Sequence, residues 1–188
     1  DEYEADRIAG KLLGREVTAA ALAEIEIRGA WLQAEFWGRH WCVAAGNPLP
    51  VGPYRSMRRY LAEAPDATFA NDALLQALKR LSSVDDTHPG LRDRIEALDA
   101  TPTLPAWSRG SALALLGGGA RQWVKYFDKQ WCSNNATEWK QHHAWLERVR
   151  ARAEVLGTSM PQNSAAELVE LARLKRHLDP HADVRALY

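Results

Sequence analysis

The chain has 188 residues, with 24 basic and 24 acidic side chains, so its formal net charge at neutral pH is zero. Its length allows one domain or two small ones around a hydrophobic core, and its 46% hydrophobic and 26% charged residues are typical of a globular protein. The balanced charge favours neither nucleic acid nor acidic lipid as a partner, and no apolar run approaches the roughly 18 residues of a membrane span.

Helix-forming residues dominate the first hundred positions, whereas runs of valine, isoleucine and threonine are absent, which predicts an all-α fold. Gly14 is expected to end the first helix and Thr18 to cap the second, while a loop rich in proline and glycine occupies 46–53. The predicted helices of this half cover about 2–13, 18–45, 54–64, 71–82 and 91–98.

The composition changes at 99–107, where threonine and proline alternate and no periodic apolar pattern continues. This segment is interpreted as a linker between a region 1–100 and a second helical region 101–188. In the second region we expect a short apolar helix ending at three glycines and a long helix over 121–156, bent near the "CSNNAT" segment. Ser164 and Glu167 predict a capping box for a further helix, and one more helix is expected to begin after Pro180.

Aromatic side chains recur at helical spacing along the predicted long helix. Side chains at such intervals usually pack in a core, so these are interpreted as core residues. They are Trp123, Phe127, Trp131, Trp139 and Trp145.

Two carboxylates stand near the start, in the sequence "DEYEADRIAG". Glu2 and Asp6 are four residues apart and therefore share a helix face. They favour either a solvated helix start, because acidic residues suit the positive end of the helix dipole, or a metal ligand beside a residue that orients a ligating histidine.

The segment "EYEAD" resembles the third-ligand motif of gluzincin zinc metallopeptidases of the HtpX and CAAX-prenyl-protease (Ste-type) family. "DDTHPGLRDRIEAL" at 85–98 is similar to a second motif of that family, T-H-P-x(4)-R-I. The resemblance covers roughly residues 1–100. It implies that Glu2 is a zinc ligand, that Asp6 orients a zinc-binding histidine, and that His88 and Arg94 lie beside the active-site cleft and on the same side as Glu2. Pro89 is expected to start the helix that carries Arg94.

The HExxH motif, which in that family supplies two histidines and the catalytic glutamate, does not occur in the 188 residues. His142 and His143 are adjacent and cannot share a helix face, while a proline-containing break separates His177 from His181. The resemblance therefore implies a fragment of a zinc endopeptidase, both ends of which read as interruptions of a longer polypeptide. Zinc and a peptide or protein substrate are expected for the larger protein, and neither zinc binding nor proteolysis for this chain alone.

Residues 101–188 resemble the region that follows the protease domain in some bacterial members of the family, where helical segments lead into helix-pair repeats of tetratricopeptide type. Such repeats bind protein partners on a concave surface. The alternatives are an ordinary helical bundle for this half and a non-enzymatic interaction module for the whole chain.

The cellular compartment is predicted from the cysteines and the start of the chain. Cys42 and Cys132 are far apart and form no CxxC motif, and no signal peptide is recognisable. A reducing compartment is therefore expected, either the bacterial cytoplasm or the cytoplasmic face of a membrane to which the larger protein is attached.

Overall fold

The computed structural model describes residues 2–82, 88–107 and 112–187. Within these ranges the chain is helical and has no β-strand, which confirms the predicted all-α fold. The α-helices are α1 Glu2–Leu13, α2 Arg15–Trp31, α3 Trp37–Cys42, α4 Tyr54–Tyr60, α5 Ala67–Lys79, α6 Leu91–Ala97, α7 Ala120–Asn134, α8 Ala136–Thr158 and α9 Ala165–Leu178. No helix in this described part of the chain is long and apolar enough to cross a membrane.

Gly14 separates α1 from α2 with a backbone φ of 100°, a value that glycine adopts without strain. The prediction that this glycine ends the first helix is confirmed. The prediction that Thr18 caps the second helix is wrong, because α2 already begins at Arg15. The Thr18 hydroxyl instead donates to the carbonyl of Gly14 at 3.0 Å, within the first turn of the helix.

The predicted start of a helix at Asn71 is also wrong, because α5 begins four residues earlier. Asp66 is its N-cap, and one carboxylate oxygen accepts from the backbone N–H groups of Thr68 at 2.9 Å and Phe69 at 3.3 Å. These bonds satisfy two of the amides that a helix start leaves without partners, and they lower the pKa of Asp66.

The long helices predicted from the sequence are interrupted. A π-helical segment over Leu32–Phe36 joins α2 to α3, and a break at Asn135 separates α7 from α8, at the predicted bend. The Asn135 side chain donates to the carbonyl of Trp131 at 2.8 Å. Such local bonding competes with helical hydrogen bonds and explains the break.

The predicted capping box is confirmed at the start of α9, where Ser164 and Glu167 each bond the other's backbone N–H. The helix predicted after Pro180 is wrong. The described part of that stretch, 181–187, contains no α-helix and has a 3₁₀ turn at Arg185–Leu187, before which Asp183 accepts from the Arg185 backbone.

The described chain forms two compact units, and the first comprises residues 1–34 and 61–110. Its core is built where α1, α2, α5 and α6 pack together. The core residues are Ala19, Leu22, Ala23, Ile27, Ala70, Leu74, Leu91, Ile95 and Leu98.

The second unit comprises residues 35–60 and 111–188. It has one core around Trp139, Ala44 and Leu146, and another where α8 and α9 pack as a helix pair. This division differs from the sequence-based boundary at residue 100, because it assigns 35–60 to the second unit. The physical reason is aromatic packing, since Trp41 on α3 lies with its ring centroid 5.7 Å from that of Trp131 and 5.3 Å from that of Trp139.

Part of the aromatic series was wrongly expected in the core. Trp139 is fully buried and Trp131 and Trp145 are half-buried, but Trp123 and Phe127 are 52% and 45% exposed. Helical spacing therefore identified one face of α7 without distinguishing a buried face from an exposed one.

Candidate functional site

Four polar side chains meet where α1 packs against α6 in the first unit. Asp6 receives two parallel hydrogen bonds from Arg94, with both N···O distances 2.7 Å. A third guanidinium nitrogen, Nη1, lies 2.7 Å from Oε2 of Glu2. The other Glu2 oxygen, Oε1, contacts Nδ1 of His88. The predicted proximity of His88 and Arg94 to Glu2 is confirmed, whereas the roles that the resemblance implies for these residues remain predictions.

Burial decreases across this group, from Asp6 inside the unit to His88 at the surface. The Asp6 side chain is 8% exposed, those of Arg94 and Glu2 are 22% and 29% exposed, and that of His88 is 73% exposed. Hydrogen bonding to Asp6 raises the pKa of Arg94. The guanidinium is therefore a fixed positive charge beneath the Glu2 carboxylate.

The contact between Arg94 and Glu2 differs in kind from that between Arg94 and Asp6. Oε2 of Glu2 is buried and has no hydrogen bond of acceptable geometry, although the guanidinium is close. The Asp6 contact is a bidentate pair, the arrangement that best matches a guanidinium fork to a carboxylate. Asp6 therefore fixes the orientation of Arg94, and Arg94 acts on Glu2 chiefly through its charge.

The local sequence explains why these residues meet. Glu2 and Asp6 share one face of α1 through their four-residue spacing, and Leu91 and Ile95 anchor α6 in the core, which leaves Arg94 directed at α1. The prediction that Pro89 starts α6 is wrong, because the helix begins at Leu91 with Gly90 as N-cap.

Gly90 allows the chain to approach the end of α5 closely. A Cβ at this position would lie 3.1 Å from the carbonyl oxygen of Arg80 and 3.2 Å from the hydroxyl oxygen of Ser82. The Gly90 N–H donates to that hydroxyl at 2.6 Å. These contacts fix the backbone at Gly90 and therefore also help to position His88, which lies two residues earlier in the chain.

The residues present do not fit a zinc ion by themselves. In the ranges that the structure describes, no group of three histidine, cysteine, aspartate or glutamate side chains is arranged to hold a metal. Glu2 and His88 could offer two donors at most, and a zinc site normally has three or four protein ligands. Asp6 is engaged by Arg94, and no contact between described residues joins it to a histidine.

The other histidines noted in the sequence lie in the second unit. Three of them take part in packing, and His181 accepts a hydrogen bond from Nε of Arg39 at 2.8 Å. His143 Nδ1 is 2.6 Å from the Ala44 carbonyl oxygen, and the His142 ring lies between Trp41 and Trp145. The ring of His177 packs edge-on against that of Trp145. These contacts account for the adjacent histidines without a ligand.

Both cysteines are half-buried, and neither has the character of a reactive thiol. Burial raises the pKa of Cys42 and of Cys132, which keeps both protonated at neutral pH.

The sequence interpretation did not identify His40, which is 5% exposed among aromatic rings. Its ring stacks on Phe36 at 5.7 Å and lies edge-on to Trp131 at 5.1 Å, and its Nε2 has no hydrogen-bond partner. Burial lowers the pKa of His40, although a hydrogen bond with the Val51 backbone and the charge of Asp128 act in the opposite direction. In the sequence, the four-residue spacing between Phe36 and His40 places both rings on one helix face and could have indicated this packing.

Comparisons with protein-family models, with curated proteins and with solved structures found no significant match to this chain. Any functional assignment therefore depends on the motifs around Glu2 and His88 and on the contact between them.

Proposed function

We propose that this chain is part of a zinc metalloendopeptidase, to which it contributes Glu2 as the third zinc ligand and the helices behind the cleft. The observation that supports this most is the contact of Glu2 and Asp6 with His88 and Arg94. Two short motifs, more than 80 residues apart, each resemble the same peptidase family, and their polar residues meet.

The proposal assigns the remaining ligands to an HExxH helix outside these 188 residues. Bound zinc would polarise the peptide carbonyl and activate water in such a protein. Arg94 and His88 would hold the Glu2 carboxylate in place beside the metal, and Asp6 would fix Arg94. Because the histidines and the general base are not in this chain, no catalytic step is assigned to it.

A second candidate function is a helical protein-interaction module. The observation that favours it is the α8–α9 pair, which has its own core around Leu156, Leu171 and Val184. One such pair resembles a unit of a tetratricopeptide-type array, in which neighbouring pairs bury their apolar faces on one another. Under this alternative, the polar group around Arg94 has only a structural role and holds α1 against α6.

The first experiment is to determine whether an HExxH motif precedes this sequence in the full polypeptide. If the motif is present, zinc content and casein cleavage are measured for the whole protein and for Glu2→Gln, Asp6→Asn and Glu4→Gln. Glu2→Gln is expected to abolish activity, because an amide is a much weaker zinc ligand than a carboxylate. Asp6→Asn is expected to reduce metal affinity or activity by roughly 10–100-fold.

Glu4→Gln is the matched control. Glu4 lies on the same helix, is exposed, and pairs with the exposed Arg7 at 3.9 Å, so its variant should keep full zinc and full turnover. Thermal melts of each variant separate loss of the ligand from loss of the fold. Full zinc content and turnover in Glu2→Gln, or the absence of HExxH from the polypeptide, would reject the peptidase proposal and favour the interaction module.

A further inference from the structure

One face of the second unit exposes aromatic and aliphatic side chains together. On α7, Trp123 and Tyr126 are 52% and 51% exposed, and Phe127 is 45% exposed. The 3₁₀ segment Ala112–Gly119, which packs against α7, exposes Leu115 by 89% and Leu116 by 51%. These five residues are called the aromatic face below.

The three rings of the aromatic face form a contiguous group. The Trp123 and Phe127 rings stack with centroids 5.9 Å apart and an interplanar angle of 27°. Tyr126 meets both edge-on, at 5.9 Å from Trp123 and 5.4 Å from Phe127. Their spacing of three and four residues places them on one side of the helix. The three exposed rings therefore form a single patch.

Positive charge is concentrated on α7, which carries the three rings, and on the neighbouring helix α4. The basic residues of α7 lie on the side of that helix away from the rings, because positions 121, 125 and 129 are offset by two residues from 123 and 127. Helix α4 packs against α7, and the ring of Tyr54 lies 5.9 Å from that of Phe127. The basic residues of the two helices are Arg55, Arg58, Arg59, Arg121, Lys125 and Lys129. Their only acidic residue is Asp128, which accepts a hydrogen bond from the Tyr54 backbone at 2.7 Å.

No ion pair among the described residues includes any of these six cations, and Asp128 is the one acidic residue on their two helices. The zero net charge of the whole chain therefore conceals a local excess of positive charge. Such a region attracts an anionic partner.

We propose that the aromatic face and its basic surroundings bind the surface of an anionic lipid bilayer. Tryptophan and tyrosine are favoured at the boundary between headgroups and acyl chains, where their rings are apolar and their polar atoms remain hydrated. Leu115 and Leu116 would enter the acyl region, and the lysine and arginine side chains would contact acidic headgroups. The inference is independent of the proposed peptidase function.

Single-stranded nucleic acid fits this face less well. Bases stack on open aromatic faces, whereas Trp123 and Phe127 cover one another and Tyr126 packs edge-on against both. The two leucines also contribute nothing to base stacking, but they favour an apolar phase. Leu115 is 89% exposed and is therefore not enclosed by a groove of the kind that holds an extended acidic peptide.

The test measures binding of the 188-residue chain to vesicles by co-sedimentation. Vesicles of phosphatidylcholine alone are compared with vesicles that contain about one third phosphatidylserine. We expect binding to the phosphatidylserine vesicles, at least tenfold weaker binding to the neutral ones, and strong weakening at 0.5 M salt, because salt screens surface charge.

Two matched pairs of variants locate the binding surface. Lys125→Gln with Lys129→Gln should weaken binding about tenfold or more, since each basic residue near an anionic surface contributes roughly a fivefold factor. The control removes the same charge from the first unit, with Lys11→Gln and Lys79→Gln. Leu115→Ser should also weaken binding, whereas Leu81→Ser, at a leucine that is 75% exposed in the first unit, should not.

Circular dichroism melts verify that each variant is folded. Equal binding to both vesicle types, no binding, or equal losses in the control variants would overturn the proposal. Tighter binding to a labelled oligothymidine than to phosphatidylserine vesicles would overturn it in favour of nucleic acid.

Discussion

Arg94 is the side chain that joins the carboxylates of α1 to α6, and its removal should reveal how much the first unit depends on it. In Arg94→Met the carboxylate of Asp6 remains buried without a cationic partner, and Glu2 loses its counter-charge. We expect the free energy of unfolding to fall by about 2–4 kcal/mol, in the lower part of the range for buried pairs because Arg94 is partly exposed. Chemical denaturation measures this change.

Arg94→Lys should lie between the wild type and the methionine variant, because an ammonium group cannot make the paired hydrogen bonds of the guanidinium fork. The control is Arg15→Met, which breaks a 2.9 Å ion pair with Asp99 whose side chains are 61% and 91% exposed. Exposed pairs contribute about 1 kcal/mol or less. Equal losses in the Arg15 and Arg94 variants would contradict the importance assigned to the buried pair.

His40 should make the second unit sensitive to acid. Its pKa is lowered by burial in the native state, so the unfolded chain binds the proton more readily. Stability is therefore complete above the ordinary histidine pKa near 6.5 and is lost as the pH falls from there toward the lowered native value. His142 acts in the same direction, since burial also lowers its pKa while Glu138 opposes the shift.

The measurement is the free energy of unfolding between pH 7.5 and 5. One such histidine contributes a slope of at most about 1.4 kcal/mol per pH unit. His40→Phe keeps a ring beside Phe36 and Trp131 but cannot titrate, so its slope should be shallower than that of the wild type. His142→Gln should reduce the slope as well, and an unchanged slope in both variants would contradict this account.

At the level of elements, the loop before α4 depends on a close approach at Gly52. A Cβ there would lie 2.4 Å from both Cβ and Cγ of Asp128, far inside contact distance. Gly52→Ala should therefore displace the loop or α7 and disturb the hydrogen bond from the Tyr54 backbone to Asp128. We expect a loss of about 1–3 kcal/mol, measurable by thermal or chemical unfolding.

Gly157→Ala is the matched control in the same unit. Gly157 lies within α8, and an added Cβ would meet nothing within 4 Å. Alanine at a helical position is favoured over glycine by up to about 1 kcal/mol, so this variant should be neutral or more stable. Destabilisation of both variants to the same extent would show that the contact with Asp128 is not the cause.

Some helix boundaries could be predicted from the sequence, and others could not. Gly14 and the Ser164–Glu167 pair were interpreted correctly because each is a local signal with one structural outcome. Thr18 and Asp66 are both good capping residues, yet only Asp66 caps a helix. Which of the two caps a helix depends on where that helix begins. Gly14 lets α2 begin ahead of Thr18, whereas the proline before Asp66 keeps α5 from beginning earlier.

The candidate site was partly predictable for a similar reason. The spacing of Glu2 and Asp6 places them on one face of α1, and the second motif identified Arg94 and His88. The bidentate bond between Asp6 and Arg94 was not predictable, because it depends on the packing of α6 by Leu91 and Ile95. His40 was missed because its burial arises from α7 and α8, which are distant in sequence.

At the scale of the whole molecule, each compact unit is made from two separate stretches of chain. Residues 35–60 leave the first unit and belong with 111–188, to which they contribute Trp41 and Ala44. Linear composition cannot reveal this, since the change at 99–107 lies within the first unit and does not mark the passages of the chain between the units after residues 34 and 60. Trp131 of α7 and Trp139 of α8 have ring partners on α3 for this reason.

Because the second unit is discontinuous, the chain should behave as a pair of complementing fragments when it is cut once in 101–107. The upstream fragment would retain 35–60, which supplies Trp41 and the carbonyl of Asn47 that accepts from Trp139 at 2.8 Å. The two pieces should therefore co-elute in size-exclusion chromatography under native conditions and separate in denaturant. Expressed singly, residues 112–188 should bind a hydrophobic dye strongly, and mixing with residues 1–107 should abolish that signal. Elution of the cut pieces as separate species under native conditions would contradict this expectation.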